Sequence, residues 1–592
     1  METDTQKKYS ILNTIQNELT KFSEPIKILD SWESNQKELI EQAILYLNSK
    51  FVDGDVDELG FKRYFYNITK YSCGATTKAI DVDTKDIMFM TAAGGDPLKT
   101  WFLERDIRYW MKSKYFGETL NRICRELPIY GSVVLKMIKG ECYFVDLRNF
   151  VCEQNADSLD NSNYIIEQYY YTPSEFKSVG SKSGWDKDEM DRILKIFTAS
   201  KEQYIRVFER YGEVENDDGL SDYKMVIVAD IPQDVKNNPD VKYQLNSDII
   251  LGERLIPTHP YFEIHINKIS GRWLGVGVPE QISENQIRLN EVSNEQVRSS
   301  KWSTLRLFWS RDPGQTRNML TGAEDGEVLR SEDEIKPVDM ADRNLAYYQE
   351  ETSKWEGNAQ RATFTTDIML GERTPSGTPL GSAQLSTAQA MSYFDQMRED
   401  LGLALKRFLY DFVLPQAERN LTKEHILRIA GQDLEKYNEL LVNTSLHNRF
   451  FEIVAKTNKI PDSKLMQLLR EVEEERLAQE KEQQAFIPKG FYKNAKYDID
   501  IEITGESKDV RVVAANTLSA LQAMSTDPTL LTDPTKRKIF GQYLEAGGIK
   551  IDDFNVPNKQ EITGMPMKGA GGGISAPTNI GGAGETKMTQ TL

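Results

Sequence analysis

Residues 279–300 read PEQISENQIRLNEVSNEQVRSS, and their spacing predicts a helix that begins at Pro279. The stripe that would face inward is mostly polar and consists of Ile282, Gln286, Leu289, Ser293 and Gln296. Such a helix buries too little apolar surface to offset the entropy lost on ordering it, so it cannot close a conventional core. We therefore expect its missing contacts to come from outside the helix.

A second helix of the same character is predicted over residues 343–370. Its stripe is spaced alternately by four and three and is again half polar: Tyr348, Thr352, Trp355, Ala359, Ala362, Thr366 and Met369. The segment between the helices contains an extended run at 304–310, turn signals at Asp312-Pro313-Gly314 and Asp325-Gly326, and a short strand candidate at 327–329. The pattern predicts helix, small β insertion, helix, a stalk that neighbouring copies of the chain would complete.

The rest of the chain alternates helices and strands, so the predicted fold class is α+β. Before the stalk we predict helices at 34–48, 98–123 and 187–198, a hairpin turning at Lys139-Gly140-Glu141, and strands at 164–172, 204–211 and 223–230. After it we predict a long apolar-striped helix from 383 to 414, ended by Pro415, as a buried spine. The remainder carries predicted helices at 433–456, 462–485, 508–525 and 535–546, a strand at 497–504 and a flexible Gly-rich tail at 555–592.

Composition limits what the protein can be. The chain has 592 residues, enough for several domains, and 39% of them are hydrophobic, as in globular proteins. Its formal net charge of -18 argues against tight binding of nucleic acid over the whole surface, so any contact with a polyanion must be local. The four cysteines have neither zinc-site nor disulfide-framework spacing. With no signal-peptide core and no apolar run that could span a bilayer, we expect use inside a cell or a particle assembled there, without a membrane.

Motifs for catalysis are missing from the sequence. There is no Gly-Lys dipeptide, hence no GxxxxGK[ST] phosphate-binding loop, and there is no GxSxG. Asp53-Gly-Asp-Val-Asp57 resembles the start of a calcium loop, but Glu58 and Tyr64 occupy the Gly and Glu positions, so we interpret it as a solvated acidic turn. His259 and His265 match no metal motif and are interpreted as core or edge histidines. We therefore predict no catalytic residue, no metal, no cofactor and no enzymatic activity.

One segment departs from the acidic composition. Between residues 298 and 317 five cations face one acid and are interleaved with aromatic side chains, which makes a basic, aromatic tip on the stalk. Two interpretations remain open: a charged loop whose aromatic residues pack locally or against the next subunit, or a docking surface for a partner that also faces a passing phosphate backbone. The candidate residues are Arg298, Lys301, Trp302, Arg306, Trp309, Arg311 and Arg317.

Several short stretches follow one another in a recognisable order: YGSVVLK (130–136) with a hairpin to VDLRNF (145–150), YIIEQYYYTPSEF (164–176), LGVGVPE (274–280) and SAQLSTAQ (382–389). In this order the chain resembles the portal protein of tailed bacteriophages, the ring at one capsid vertex through which the genome enters and leaves. The similarity extends over about residues 30–550. The overall composition and the helical C-terminal region resemble portals of crAss-like phages.

The resemblance implies a portal-type fold with an α/β wing, a two-helix stem, a small β-containing clip, a long wing helix and a helical C-terminal crown. On this sequence the parts would be the wing (1–277), first stem helix (278–300), clip (301–342), second stem helix (343–370), tunnel loop (371–382), long wing helix (383–430), C-terminal wing and crown (431–554) and tail (555–592). The tunnel-loop residues would be Arg373, Thr374, Pro375, Ser376, Gly377, Thr378 and Pro379. Their prolines and small residues suit a stiff projecting loop, although the segment could equally be a helix linker.

The resemblance also implies a function. Twelve copies would form a ring whose channel passes double-stranded DNA, without sequence specificity, during packaging and ejection. The implied partners are the packaging ATPase (terminase), head-completion or adaptor proteins, tail proteins and the major capsid protein. The ring would be assembled in the cytoplasm of the host bacterium and reside in the virion. The acidic composition fits, because an acidic channel repels DNA and lets it slide both ways.

Two other classes remain open. The chain could be a non-viral ring or filament scaffold that uses the same half-polar stalk. Less in keeping with the sequence, it could be a metal-dependent enzyme that processes nucleic acid with scattered carboxylates.

Overall fold

The computed structural model describes residues 11–57, 60–91, 95–215, 221–232, 234, 248–304, 307–309, 336–338, 345–365, 380–420, 425–429, 432–457, 461–478, 483–487, 491 and 497–501. They belong to one compact unit, Met1–Glu506; the second unit, Ser507–Leu592, lies outside the described residues. The helices predicted at 508–525 and 535–546 and the tail at 555–592 also lie outside. The described chain mixes helices with antiparallel sheets, in agreement with the predicted α+β class.

The elements are numbered in chain order. The helices are α1 Ile11–Ser23, α2 Gln36–Leu47, α3 Ile68–Ala79, α4 Pro97–Ser113, α5 Phe116–Tyr130, α6 Pro173–Ser183, α7 Lys187–Thr198, α8 Val278–Gln281, α9 Ser283–Thr304, α10 Leu345–Thr363, α11 Leu380–Phe408, α12 Leu414–Asn420, α13 Gln432–Thr457 and α14 Ser463–Ala478. The strands are β1 Ile26–Leu29, β2 Trp32–Ser34, β3 Ile87–Thr91, β4 Ser132–Ile138, β5 Glu141–Val145, β6 Phe150–Cys152, β7 Tyr164–Tyr171, β8 Ile205–Glu215, β9 Ser221–Ala229, β10 Ile249–Leu255, β11 Tyr261–His265, β12 Leu307–Trp309, β13 Lys336–Val338, β14 His425–Ile429, β15 Gln483–Ile487 and β16 Tyr497–Ile501.

Two sheets make up most of the strand content. Five strands pair antiparallel in the order β10-β9-β8-β7-β6, and three pair in the order β11-β4-β5. The hairpin predicted at residues 139–141 is confirmed: Lys139 and Gly140 have φ values of 52° and 83°, the double positive φ of a tight hairpin turn. The predicted strands at 164–172, 204–211 and 223–230 are confirmed as β7, β8 and β9, which pair with one another.

The largest apolar core forms where α11 packs against β11 and α4 and α5 close the other sides. α11 contributes Phe394, Met397, Leu401, Leu405 and Phe408, all buried, and Phe408 stacks on Phe116 of α5. This confirms the predicted buried spine for the part of α11 whose side chains the structure describes, from residue 393 onward.

Several predicted helix boundaries are wrong. The helix predicted to begin at Pro279 is interrupted at Ile282, between α8 and α9. The helix predicted at 343–370 ends at Thr363, because Phe364 adopts the left-handed conformation with φ 56°. The helix predicted at 98–123 is two helices, because Tyr115 between α4 and α5 adopts the left-handed conformation with φ 53°. Pro415 does not end the long helix: a π-helical turn at Leu409–Val413 leads directly into α12, whose first turn contains Pro415. Proline has no N–H for the helical bond to the preceding turn, and the bonding pattern changes locally to π-helical just before it. The helix predicted at 462–485 ends at Ala478, because Gln483–Ile487 pairs with β14.

The helix, β insertion, helix order predicted around residues 279–370 is observed. α9 and α10 pack along each other, and in the chain between them β12 pairs antiparallel with β13; we call the two helices the stem. α9 continues to Thr304, so the extended run predicted at 304–310 is reduced to β12, and the strand predicted at 327–329 lies outside the described residues. The division into wing, stem, clip, tunnel loop and crown remains a prediction.

Candidate docking surface beside the stem

The polar stripe of α9 finds its partners within the chain. The Gln286 side chain is fully buried; its Oε1 accepts hydrogen bonds from the backbone N–H of Ile68 (3.1 Å) and from Thr69 Oγ1 (3.0 Å), and its Nε2 donates to Tyr66 O (2.6 Å). It therefore satisfies backbone groups at the start of α3, which would otherwise lack partners. Gln286 therefore links the first turns of α9 to the start of α3.

From Gln286 a row of polar residues continues along α9 at intervals of four, next to the predicted stripe positions Leu289 and Ser293. Asn290 Oδ1 accepts from the N–H of Tyr66 (2.8 Å), and Asn294 both accepts from the N–H of Tyr64 (2.8 Å) and donates to its carbonyl (2.9 Å). One turn further, Arg298 pairs with Asp57 at 2.7 Å. The inference that the polar stripe requires a neighbouring copy is thus wrong for Gln286, whose partners lie at the start of α3 and in the segment before it. For Ser293 and Gln296 it stays a prediction.

The base of the stem is held by a backbone crossing at the LGVGVPE stretch. A Cβ on Gly275 would lie 2.3 Å from the carbonyl oxygen of Gly131, and a Cβ on Gly277 would lie 2.1 Å from that of Ile129. The Arg272 side chain, fully buried beneath, donates to both carboxylate oxygens of Glu280 at 2.8 Å each. These glycines are needed because two backbone segments approach each other closely here.

A groove of about 600 Å³ lies between the stem and residues 53–66, the segment that precedes α3. It combines apolar and charged side chains, including Asp57, Phe61, Lys62, Arg63, Glu291, Glu295, Val297, Arg298 and Lys301. Near it the segment leaves apolar residues exposed to solvent, namely Val56, Phe61, Tyr64 and Tyr66. Since the bonds to Asn290 and Asn294 fix the backbone of this segment, its aromatic groups are presented rigidly, as in many docking surfaces.

The structure brings two of the predicted candidate residues to this groove. Arg298 lines it beside Asp57, and Lys301 Nζ lies 6.0 Å from the centre of the Tyr64 ring. Trp302 lies in the last turn of α9 and Trp309 in β12, and their side chains are not among those described. The other predicted positions, Arg306, Arg311, Arg317 and the tunnel-loop residues 373–379, lie outside the described residues.

Sequence reasoning did not foresee that segment 53–66 belongs to this surface. The predicted solvated acidic turn is confirmed at Asp53 and Asp55, whose side chains are exposed although they pair with Arg63 at 2.7 Å and with Lys50 at 2.8 Å. Asp57 instead turns towards the stem and pairs with Arg298. The hydrogen bond from Arg63 lowers the pKa of Asp53 below its usual value. The available signal was three acids spaced by two beside Lys62 and Arg63, a pattern that also suits plain exposed charge.

Ser132, His265 and Glu263 lie in a row among buried residues, in the order of groups found in serine-hydrolase catalytic triads. Ser132 Oγ is 2.7 Å from His265 Nδ1, and His265 Nε2 is 3.1 Å from Glu263 Oε2. Ser132 is fully buried, however, and its hydroxyl accepts the backbone N–H of Gly275 at 2.7 Å. A nucleophile must reach its substrate, so this group acts as a polar tie between β4, β11 and the base of the stem.

A second buried polar cluster joins the two main sheets. Lys136 of β4 is buried and lies 2.8 Å from Glu167 of β7 and 2.7 Å from Glu209 of β8. Tyr169 and Tyr261 complete it: Lys136 donates to the Tyr169 hydroxyl at 2.8 Å, and the Tyr261 hydroxyl donates to Glu167 at 2.8 Å. Every charged group in the cluster has a partner. The cluster therefore orients the two sheets and offers no unpaired charge to a substrate.

The side chains of His259 and His265 are largely buried, as predicted for core or edge histidines. His259 is buried near Asp160, and burial lowers its pKa although Asp160 and Glu263 act in the opposite direction. His265 is largely buried at the end of β11. Across the described ranges, no cluster of three or more His, Cys, Asp or Glu side chains could hold a metal ion. In the same part of the chain, no helix combines the length and apolar character needed to cross a membrane.

Known proteins were compared with this chain. No protein-family model matches it, and no curated protein matches it. Among solved structures, the chain is similar to one in the virion of a native gene transfer agent particle, with 8% identity and a TM-score of 0.30 over 78% of this chain and 99% of that one. It is also similar to a chain in the neck of an empty particle of the same agent, with 7% identity and a TM-score of 0.32 over 77% and 98%. At these scores the likeness does not assign a function.

Proposed function

We propose that this chain is the subunit of a portal-type ring in a phage-like virion. About twelve copies would surround a channel that passes double-stranded DNA in both directions without reading its sequence. The ring would provide a docking surface for the packaging ATPase and later for head-completion, adaptor and tail proteins, and the major capsid protein would surround it. It would assemble in the cytoplasm of the host bacterium. No catalytic step is assigned to the chain itself.

The observation that carries the proposal is the stem. Its base is buried through Gln286, Leu289 and Ala359, while towards β12 and β13 its side chains are exposed or half-buried. Within the described residues, β12 and β13 pair only with each other. A two-helix projection of this kind gains stability when copies stand side by side, and a closed ring repeats one head-to-tail contact around an axis.

The groove beside the stem supports the docking part of the proposal. Arg298 and Lys301 place cations there on a chain whose net charge is -18, next to the exposed ring of Phe61. Exposed aromatic and cationic side chains in one groove are typical of protein docking sites. The overall acidity suits a channel, because a duplex is repelled from acidic walls and does not stick.

Negative-stain electron microscopy of the purified full chain tests the proposal. We expect top views of closed rings with a central hole and about twelve-fold symmetry. Open filaments would favour a scaffold with the same stem, and monomers at high protein concentration would contradict the proposal. Incubation with linear duplex DNA and Mg²⁺ is the companion assay; we expect the DNA to stay intact, and cleavage lost on substituting a carboxylate would favour the enzyme class instead.

A further inference from the structure

Helix α10 ends at a residue that does not suit a helix end. After Thr363 the chain turns at Phe364, whose φ is 56°. The left-handed conformation that ends a helix is usually taken by glycine, because a side chain there is strained, and a bulky side chain most of all. Strain of this kind persists only where the surrounding structure enforces it, and it is often part of a mechanism.

The sequence provides a different end for this helix. Residues 364–370 read FTTDIML, without glycine or proline, and Gly371 is the first glycine after Thr363. The helical spacing of the stripe also continues beyond the break, through Thr366 and Met369. Local sequence therefore favours a helix to about residue 370, and contacts with other parts of the chain account for the end at Thr363.

The main contact is with Tyr393 of α11. The Phe364 and Tyr393 rings are stacked, with 4.0 Å between their centres and 18° between their planes. On either side of Phe364, Thr363 and Thr365 are buried, and their hydroxyls share a 2.7 Å hydrogen bond. Phe364 itself is 44% exposed, so the stack covers only part of its ring. A ring stack and the strain of a left-handed residue have free energies of the same order, so they nearly offset each other.

Tyr393 also contacts the residue that leads into the other stem helix. Burial raises the pKa of the Tyr393 hydroxyl, whereas a hydrogen bond with the Gln281 side chain acts in the opposite direction. Gln281 is the last residue of α8, and α9 begins two residues later at Ser283. Tyr393 therefore links the two helices of the stem at their base: its ring supports the end of α10, and its hydroxyl bonds to the entry of α9.

We infer that the end of α10 is a conformational switch with two states. In the state described above, Phe364 stacks on Tyr393 and the helix ends at Thr363. In the other state Phe364 leaves the ring and takes up helical dihedral angles, and α10 continues towards Gly371. A partner or movement that displaces Gln281 or Tyr393 shifts the balance between the two states. The switch lies within one chain, so it does not depend on the ring assembly proposed above.

Two substitutions of Phe364 in the full-length chain test the switch. Phe364→Gly and Phe364→Ala remove the same ring, but glycine accepts the left-handed conformation and alanine favours the helix. Amide hydrogen exchange at residues 364–370, followed by mass spectrometry, should be at least about tenfold slower in Phe364→Ala than in Phe364→Gly. Equal exchange in the two variants would overturn the inference, because residue 364 would then not control where the helix ends.

The same pair of substitutions at Ser49 is the control. Ser49 follows α2 and also has a φ of 56°. Ser49→Gly and Ser49→Ala should give the same exchange at residues 364–370; a tenfold difference there would mean that general stability sets the exchange, and the inference would fail.

Tyr393→Leu tests the stack while Phe364 stays in place. Without the ring, α10 should continue, so exchange at residues 364–370 should become slower than in the unmodified chain. Circular dichroism verifies that the variant remains folded. Unchanged or faster exchange would show that Tyr393 does not hold the helix end, and the switch would be refuted. Ring formation by the unmodified chain tests the proposed function separately.

Discussion

At the scale of single residues, the structure shows why particular side chains, or their absence, are needed. Gly275 and Gly277 allow the chain that enters the stem to cross the turn after α5 at backbone contact distance. Gly131, on the other side of the crossing, has φ 71°, which favours glycine for a second reason. Gln286 of the stem caps α3 by accepting a hydrogen bond from the backbone N–H of Ile68. These positions tolerate little change.

Replacing Gly277 by alanine should be costly. The new Cβ would lie 2.1 Å from the carbonyl oxygen of Ile129, a backbone atom that cannot turn aside, so we expect a loss of about 1–3 kcal/mol of unfolding free energy. Urea denaturation measures it. Gly357→Ala is the control: nothing lies within 4 Å of its Cβ, and alanine at a helical position should add up to about 1 kcal/mol. Equal effects of the two substitutions would contradict this account of the crossing.

The buried histidine predicts a pH dependence. Burial lowers the pKa of His259, so the unfolded chain binds its proton more readily, and folding loses free energy as the pH falls below the ordinary value of 6.5. Well above that value His259 is neutral in both the folded and the unfolded chain, so this loss of free energy is absent. His259→Gln should remove this part of the slope when unfolding free energy is measured between pH 8 and 5. An unchanged slope would mean that other groups cause the acid sensitivity.

At the scale of elements, the stem is a helix pair with a side support. Asn290 and Asn294 bind the backbone of Tyr64 and Tyr66 much as a neighbouring strand would, and Tyr66 reaches across to Glu356 of α10 with a 2.7 Å hydrogen bond. The half-polar character of α9 therefore has two causes. One face binds this segment, and the outer face, which includes Glu284, Arg288 and Glu295, remains exposed.

Removing one of these supports should loosen the segment without unfolding the protein. In Asn294→Ala both hydrogen bonds to Tyr64 are lost, so we expect about tenfold faster amide hydrogen exchange at Tyr64 with the α4 and α5 amides unchanged. Exchange followed by mass spectrometry on peptides covering residues 60–67 reports it. Arg288→Ala, which breaks only the exposed pair with Glu291, serves as the control. Equal exchange in the two variants would show that Asn294 does not hold the segment.

At the scale of the whole molecule, charge and packing assign different tasks to different regions. The apolar core around α11 and the two sheets can sustain the fold of a single chain, with the Lys136 cluster setting the orientation between the sheets. The groove beside the stem, and α14 with Leu465, Leu468 and Val472, instead leave apolar side chains exposed on a chain with a net charge of -18. Exposed apolar surface of this kind is typical of regions that contact another molecule.

Much of this architecture followed from local sequence patterns. The hairpin at residues 139–141, strands β7 to β9, the buried face of α11 and the helix, β, helix order of the stem were all predictable, because alternation, helical spacing and turn residues act over a few neighbours. The chemistry of the candidate surface was predictable only as a cluster of cations and aromatic residues near residue 300. Its location on an otherwise acidic chain was the signal.

Tertiary structure alone decided the rest, because the deciding partners are far apart in sequence. That Gln286 and Asn294 are polar is evident from the sequence. Only the fold brings the backbone of Ile68 and Tyr64 to them, so these two side chains need no second subunit as a partner. Likewise, Glu473 is buried 3.5 Å from Arg449 of α13, while Leu468 and Val472 on another side of α14 are exposed. The sequence determined which segments form helices and strands. Contacts between distant segments determined which polar groups are satisfied within the chain and which apolar faces remain exposed.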